Sequence, residues 1–214
     1  MARQTTTRDR LIETASELFW RQGYAQTGVN EIISQARATS GSFYHFFATK
    51  EELLLAVVDH VGEQFRAEVF GDPAPTVSGA LERVHHYARR HDPALGSPLG
   101  TLAAELAATH PRVRERIQAH FRRWRQEIEE VLAREPDTLT EKVDRGALAT
   151  TILSIIEGGL LQTRVSQNLA AFEVSAGQLL AYLRLLETGE AGRSVPAPTT
   201  LPTQPDNPVD WRSW

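Results

Sequence analysis

The run from Leu148 to Leu161, LATTILSIIEGGLL, constrains the fold of this chain more than any other stretch. Leu148, Ile152, Ile155, Ile156, Gly159 and Leu160 form one apolar stripe at helical spacing. Ala149, Leu153 and Leu161 carry apolar character onto another face. A helix that is apolar on more than one side must be buried on more than one side, so other helices have to surround it. A second helix follows with Phe172, Ala176, Leu179, Leu180, Leu183 and Leu186 in the same pattern. Gly158 and Gly159 each cost about 1 kcal/mol relative to alanine inside a helix, so they are expected where another backbone approaches closely. Glu157 lies in the same run, and an acid there is hard to leave without a partner.

The rest of the chain reads almost wholly as helix. Thr6-x-x-Asp9, Thr49-x-x-Glu52 and Thr138-x-x-Glu141 resemble capping boxes, each placed just ahead of an apolar-periodic segment. The periodicity predicts helices at 8–22, 28–35, 39–46, 50–69, 76–91, 98–108, 111–134, 139–165 and 171–188. Pro73 and Pro75 break the chain after the fourth helix, Pro93 and Pro98 bracket a loop, and Pro136 closes the seventh helix. Pro111 stands where a proline is tolerated, in the first turn of that helix. No internal repeat is visible, and 214 residues suffice for one or two domains with a buried core.

Residues 27–50, TGVNEIISQARATSGSFYHFFATK, parse as two short helices joined by a tight turn. Val29, Ile32, Ile33 and Ala36 make one apolar stripe, with Thr27 ahead of it in N-cap position. In the second helix Phe43 and Phe47 can anchor to the core, while Ser40, Gly41, Ser42, Tyr44 and His45 are small or polar. A helix that opens on small hydrogen-bonding residues and is pinned by aromatics suits a DNA major groove. The same spacing also fits an ordinary helical hairpin with a polar face.

Together with TRDRLIETASELFWRQGY before it, this segment resembles the DNA-binding domain of the TetR (tetracycline-repressor-like) family. The resemblance rests on Leu11, Ile12, Ala15, Leu18 and Phe19, on Gly23-Tyr24, Thr27, Val29 and Ile32, and on Gly41-Ser42-Phe43-Tyr44-His45-Phe46-Phe47 with Lys50-Glu51-Glu52-Leu53. It implies an all-α fold: an N-terminal three-helix helix-turn-helix domain followed by a helical ligand-binding and dimerisation domain. The division it implies is 5–67 for DNA binding, 68–188 for effector binding and dimerisation, and a flexible Pro-rich tail over 189–214. Trp211 and Trp214 are unusual in such a tail, and docking of its end is the other reading.

Carried onto this chain, the resemblance places DNA contacts at Thr27, Arg37, Thr39, Ser40, Gly41, Ser42, Tyr44, His45 and Lys50. Tyr44 and Lys50 match phosphate-binding positions, and Gly41, Ser42 and His45 match positions near base edges. Arg37 stands where family members often have glycine, so the turn must tolerate a side chain, possible in a left-handed conformation. Ser40 stands where lysine is common, which removes one contact and leaves the operator sequence open.

Charge alone does not mark a DNA binder. The net charge is −4. Residues 1–50 hold Arg3, Arg8, Arg10, Arg21, Arg37 and Lys50 against Asp9, Glu13, Glu17 and Glu31. That modest excess of positive charge is a small electrostatic footprint for phosphate. The absence of cysteine excludes disulfides, zinc–thiolate sites and thiol nucleophiles. MARQTTTRDR lacks the apolar core of a signal peptide and no apolar run reaches about 18 residues, so a cytoplasmic location without membrane contact is expected.

In the family the last two long helices pair across a two-fold axis into a four-helix bundle, and the two helices described first match that role. A monomeric helical core is the alternative. Dimerisation lets two short helices read a palindrome whose half-sites lie one turn apart, ~34–36 Å. A small-molecule effector is expected among helices four to eight, with Phe65, Val84, Tyr87, Leu102, Leu106, Phe121 and Trp124 as candidate walls. His85, Glu105, Gln118 and Glu157 are the candidate polar points, although such aromatics equally suit plain core. Gly96-Ser97-Pro98-Leu99-Gly100 resembles a branch of the family in which cysteine at the position of Ser97 senses electrophiles. Without cysteine, a non-covalent ligand is expected.

No cofactor is expected. His85, His86, His91, His110 and His120 lack metal-binding spacing, and no catalytic triad order, phosphate loop or paired carboxylates appear. The chain is therefore read as a homodimeric transcriptional regulator, a repressor released from double-stranded operator DNA by a small hydrophobic ligand, and not as an enzyme. The alternative is a helical ligand-binding or enzymatic bundle that has lost DNA function.

Overall fold

The computed structural model describes residues 6–134 and 144–188. They form α1 (Thr7–Gln22), α2 (Val29–Gln35), α3 (Ser40–Phe46), α4 (Lys50–Phe70), α5 (Val77–Arg90), α6 (Pro98–Leu106), α7 (Pro111–Arg134), α8 (Arg145–Ser166) and α9 (Ala170–Thr188). A 3-10 turn, Pro93–Leu95, precedes α6. The described residues contain no strand, so the all-α expectation holds.

Local chemistry sets most boundaries. Thr6 and Asp9 form the expected capping box at α1, each side chain accepting from the other's backbone N–H at 3.2 Å. At α4 the box is half made. The Thr49 hydroxyl accepts from Glu52 N at 3.1 Å, but the Glu52 carboxylate takes the N–H of Ala48 at 3.0 Å. Asp144 caps α8 by accepting from the backbone of Gly146 and Ala147, so the helix begins at Arg145. The expected cap at Thr138 and Glu141, the stop at Pro136 and the tail over 189–214 lie outside the described residues.

Thr27 corrects the sequence reading. The N-cap of α2 is Gly28, which supplies no side-chain cap. Thr27 is 1% exposed, and its hydroxyl donates to the Gly23 carbonyl at 2.7 Å, which closes the turn between α1 and α2 instead.

Leu11, Ile12, Ala15, Leu18 and Phe19 bury one side of α1 against a small core with Ile32, Ala36, Phe43 and Phe47. The long helix α4 joins this layer to the rest, packing on α1 as well as on α5, α6 and α7. Beyond it, α8 lies between α7 and α9 and also touches the 3-10 turn, the multi-sided burial that its sequence required. Gly159 explains one close approach: a Cβ there would come within 2.8 Å of the Phe172 ring on α9. Gly158 faces open space.

Candidate nucleic-acid interface

The α2–α3 turn is set by Arg37, whose φ of 50° places it in the left-handed region that its position required. Thr39 then caps α3. Its hydroxyl accepts from Ser42 N at 3.1 Å, and Ser42 Oγ accepts from Thr39 N at 3.0 Å. This reciprocal box consumes both side chains, so Thr39 and Ser42 define where α3 starts. Phe43 is fully buried and Phe47 nearly so, as their spacing predicted. Pinned from beneath, the short helix turns the remaining candidates outward: Arg37, Ser40, Gly41, Tyr44 and His45 are all exposed. Tyr44 is 60% exposed, its ring edge-on to Phe43 with centres 5.1 Å apart.

Two of the expected contacts point elsewhere. The hydroxyl of Thr27 is buried in its own turn and is not available to a ligand. The Lys50 ammonium donates to the Tyr24 carbonyl at 2.5 Å and sits 4.0 Å from the centre of the Tyr24 ring. Burial lowers its pKa from the ordinary lysine value, with Glu105 acting in the opposite direction. Lys50 thus ties the start of α4 to the end of α1.

Long-range bonds fasten this layer to the helices behind it. The Glu105 carboxylate, on α6, accepts from the backbone of Tyr24 at 2.9 Å and of Ala25 at 2.8 Å. A second junction forms at the 3-10 turn. The Leu95 carbonyl accepts from Trp20 Nε1 of α1 and from Arg164 of α8, both at 2.9 Å. Arg164 also reaches the Trp20 carbonyl at 3.4 Å. These links escaped the sequence reading. The one hint was Trp20 itself, an aromatic just off the apolar stripe of α1.

The expected effector lining is mostly solid core. Phe65 and Trp124 are fully buried with ring centres 4.4 Å apart, and Tyr87 packs edge-on to Phe65 at 5.1 Å. Val84, Leu102 and Leu106 are buried, and Phe121 lies against Trp124. Three of the four polar points also differ from expectation. Glu105 grips the α1–α2 turn, Gln118 is exposed, and His85 pairs with Glu173 of α9 at 2.7 Å.

Glu157 is the exception. Part of its residue surface is open, but its carboxylate is enclosed, with Oε1 closed to solvent and lacking a partner. Oε2 occupies the space that a Cβ at Gly100 would need, 2.6 Å away. Burial pushes the carboxyl up to about 7, against the lowering effect of a hydrogen bond from Ser97. Ser97 in turn caps α6 by accepting from Gly100 N at 3.0 Å.

Among the described residues no group of histidines and acids could hold a metal ion, and no helix is long and apolar enough to cross a membrane. On α8 and α9 the described apolar residues left open are Leu161, Val165 and Tyr182, at 58%, 80% and 43% exposure. Gly159 and Leu183, by contrast, are spent inside the chain: Gly159 against Phe172, and Leu183 at 6% exposure.

Comparison with known proteins agrees with this arrangement. The model of the tetR family of bacterial regulatory proteins matches residues 11–57. The model of the C-terminal domain of LmrA/YxaF-like transcriptional regulators matches residues 54–178. The HTH-type transcriptional regulator YxaF of Bacillus subtilis is 29% identical over 192 residues, covering 86% of this chain and 98% of the relative. The HTH-type transcriptional repressor DhaR of Mycobacterium sp. is 25% identical over 181 residues, 78% of this chain and 87% of that protein. A crystal structure of a TetR transcriptional regulator from Chloroflexus aurantiacus superposes with a TM-score of 0.68 at 25% identity, covering 83% of this chain and 94% of the other.

Proposed function

Since the chain belongs to the tetR family of bacterial transcriptional regulators, with a C-terminal domain of the LmrA/YxaF-like type, we propose that it is a homodimeric repressor released from a palindromic operator by a small molecule. The observation that carries the DNA half is the exposed face of α3. Arg37, Ser40, Gly41, Tyr44 and His45 lie open on a helix that Phe43 and Phe47 hold rigidly from below. Tyr44 serves a phosphate and His45 a base edge, while Thr39 and Ser42 set the helix start. Preorganisation of this kind favours specificity, because little backbone freedom is left to lose on binding.

Dimerisation follows from the apolar surface of α8 and α9. Leu161 and Val165 sit one helical turn apart, and Gly158 one turn before Leu161 leaves room for a neighbouring backbone. A second copy of the same surface would cover them isologously and form a four-helix bundle. The boundary between the DNA-binding unit and the effector and dimerisation unit falls within α4, near residue 67.

The repressor assignment draws on the DhaR relative, which bears that name. Release by ligand draws on Glu157. Its unpartnered oxygen stands beside the start of α6, the helix whose far end carries Glu105, in contact with the α1–α2 turn. A ligand that opened the core around Leu102, Leu106, Phe121 and Trp124 and paired with Glu157 would shift α6 and, through Glu105, the DNA-binding layer. The test is selection of bound sequences from a random DNA pool, followed by anisotropy titration and sedimentation of the complex. Recovery of a palindrome bound by two chains is expected. Enrichment of no sequence, or binding as a monomer, overturns the reading.

A further inference from the structure

The apolar stripe of α1 faces the three-helix core, but a second stripe on the same helix faces away from it. Glu13, Ser16, Glu17 and Trp20, at i, i+3, i+4 and i+7, form one wall of a cleft of about 550 Å³. The opposite wall comes from α4, through His60, Val61 and Gln64, and from the end of α5 with the 3-10 turn. The cleft thus lies between the DNA-binding layer and the helices behind it, away from the core around Glu157. Its volume is within the ordinary range for small-molecule sites.

Two properties define what would fit. The first is an aromatic floor. The rings of Trp20 and His91 lie 5.5 Å apart, and Tyr87 packs 4.5 Å from His91. The second is sign. Both lining guanidiniums are already engaged, Arg21 by Glu17 and Arg90 by Glu68. Glu13 has no such partner among the described residues, so the residual charge is negative. The indole face of Trp20 adds to this, since its quadrupole attracts cations.

We propose that this cleft is a second effector site, one that takes a planar aromatic cation such as an aryl amidine or aryl amine. The ring lies against Trp20 and the cationic group meets Glu13. The regulatory part of the proposal rests on the DNA-binding function proposed above. An occupant touches Trp20 and Leu95 together, so it acts on the hydrogen bond that fastens α1 to the 3-10 turn and, through the same carbonyl, to Arg164 of α8. Displacement of α1 weakens operator binding without any opening of the Glu157 core.

The test uses the full chain and three probes of one shape: benzamidine, benzamide and benzoate. The indole N–H resonance of Trp20, assigned by its loss in Trp20→Phe, reports occupancy. Benzamidine should shift it saturably in the millimolar range expected for a fragment. The neutral and anionic probes should bind more weakly, and Glu13→Gln should cost benzamidine about threefold or more in affinity. Movement of the Trp124 resonance instead, equal binding of benzoate, or an unchanged affinity in Glu13→Gln would each refute the site. In the second arm, saturating benzamidine should lower the affinity for selected operator DNA by about fivefold or more. Occupancy that leaves operator affinity unchanged refutes the regulatory half. Failure of the untreated protein to bind any DNA overturns the regulator reading alone, because the resonance titration still decides the site.

Discussion

Trp20 and Arg164, 144 residues apart in the chain, donate to one acceptor, the carbonyl of Leu95. Trp20 belongs to the helix that supports the DNA-binding layer, and Arg164 to the helix that exposes Leu161 and Val165. In the proposed dimer, half-site spacing on DNA would depend on how rigidly those two parts of each protomer are joined, and this shared carbonyl links them.

Trp20→Phe keeps the ring and removes the donor, so it should lower stability by about 0.5–1.5 kcal/mol. Arg164→Met, which also loses the bonds to Thr101 and the Trp20 carbonyl, should cost about 1–2 kcal/mol. The double variant should lose less than the two together, because both donors serve one acceptor. Urea denaturation of the four proteins measures this, and strict additivity would show the two donors to act independently of each other.

His45→Ala should change preference at one operator position by about 1–3 kcal/mol. Tyr44→Phe should instead weaken binding to operator and scrambled DNA alike. Lys50→Ala separates structure from contact. With its ammonium on the Tyr24 carbonyl, Lys50 should affect thermal stability while leaving the salt dependence of DNA binding unchanged. A salt slope reduced by about one unit would show that Lys50 swings out to a phosphate.

Leu161→Glu with Val165→Glu should give monomers in sedimentation at micromolar concentration, with helix content retained in circular dichroism. Operator affinity should fall steeply, because each half-site is then read alone. A dimer that survives both substitutions would place the interface elsewhere. Gly159→Ala is a different experiment: its Cβ meets the Phe172 ring, so it should destabilise the monomer itself.

Glu157 predicts a pH dependence of stability. Its folded carboxyl titrates at about 7, against 4.5 for the free side chain. Between those values the folded chain keeps a proton that the unfolded chain has lost. The native state therefore weakens as pH rises through this window, and the penalty is complete above about 7. Glu157→Gln should remove that slope and stabilise the protein at pH 8 by on the order of 3 kcal/mol. Parallel melting curves of the two proteins from pH 4 to pH 8 would show the carboxylate to be harmless where it lies.

The helices were legible because their signals are local. Thr6 with Asp9 and Phe43 with Phe47 are separated by three or four residues, and Arg37 announced a left-handed turn by standing where glycine is common. The site was legible as far as α3, whose exposed face follows from its own anchors. The bonds of Lys50, Glu105 and Arg164 were not legible because each finds its partner far along the chain, where periodicity carries no information. Thr27 misled for another reason: a threonine ahead of an apolar stripe can cap the next helix or close the previous turn, and the deciding acceptor, Gly23 O, is main chain. The state of the aromatic lining could not be read, because apolar spacing describes a filled interior and a hollow one equally well.

The hold of Glu105 on the α1–α2 turn passes through the peptide N–H groups of Tyr24 and Ala25, not through their side chains. Every residue but proline offers that donor, so this connection does not depend on which side chains stand at positions 24 and 25, whatever else holds the Tyr24 ring in place. Coupling between the helical body and the DNA-binding layer would then leave no paired-substitution trace at those two positions. It would register at position 105, and in the base at position 50 whose charge that acid favours.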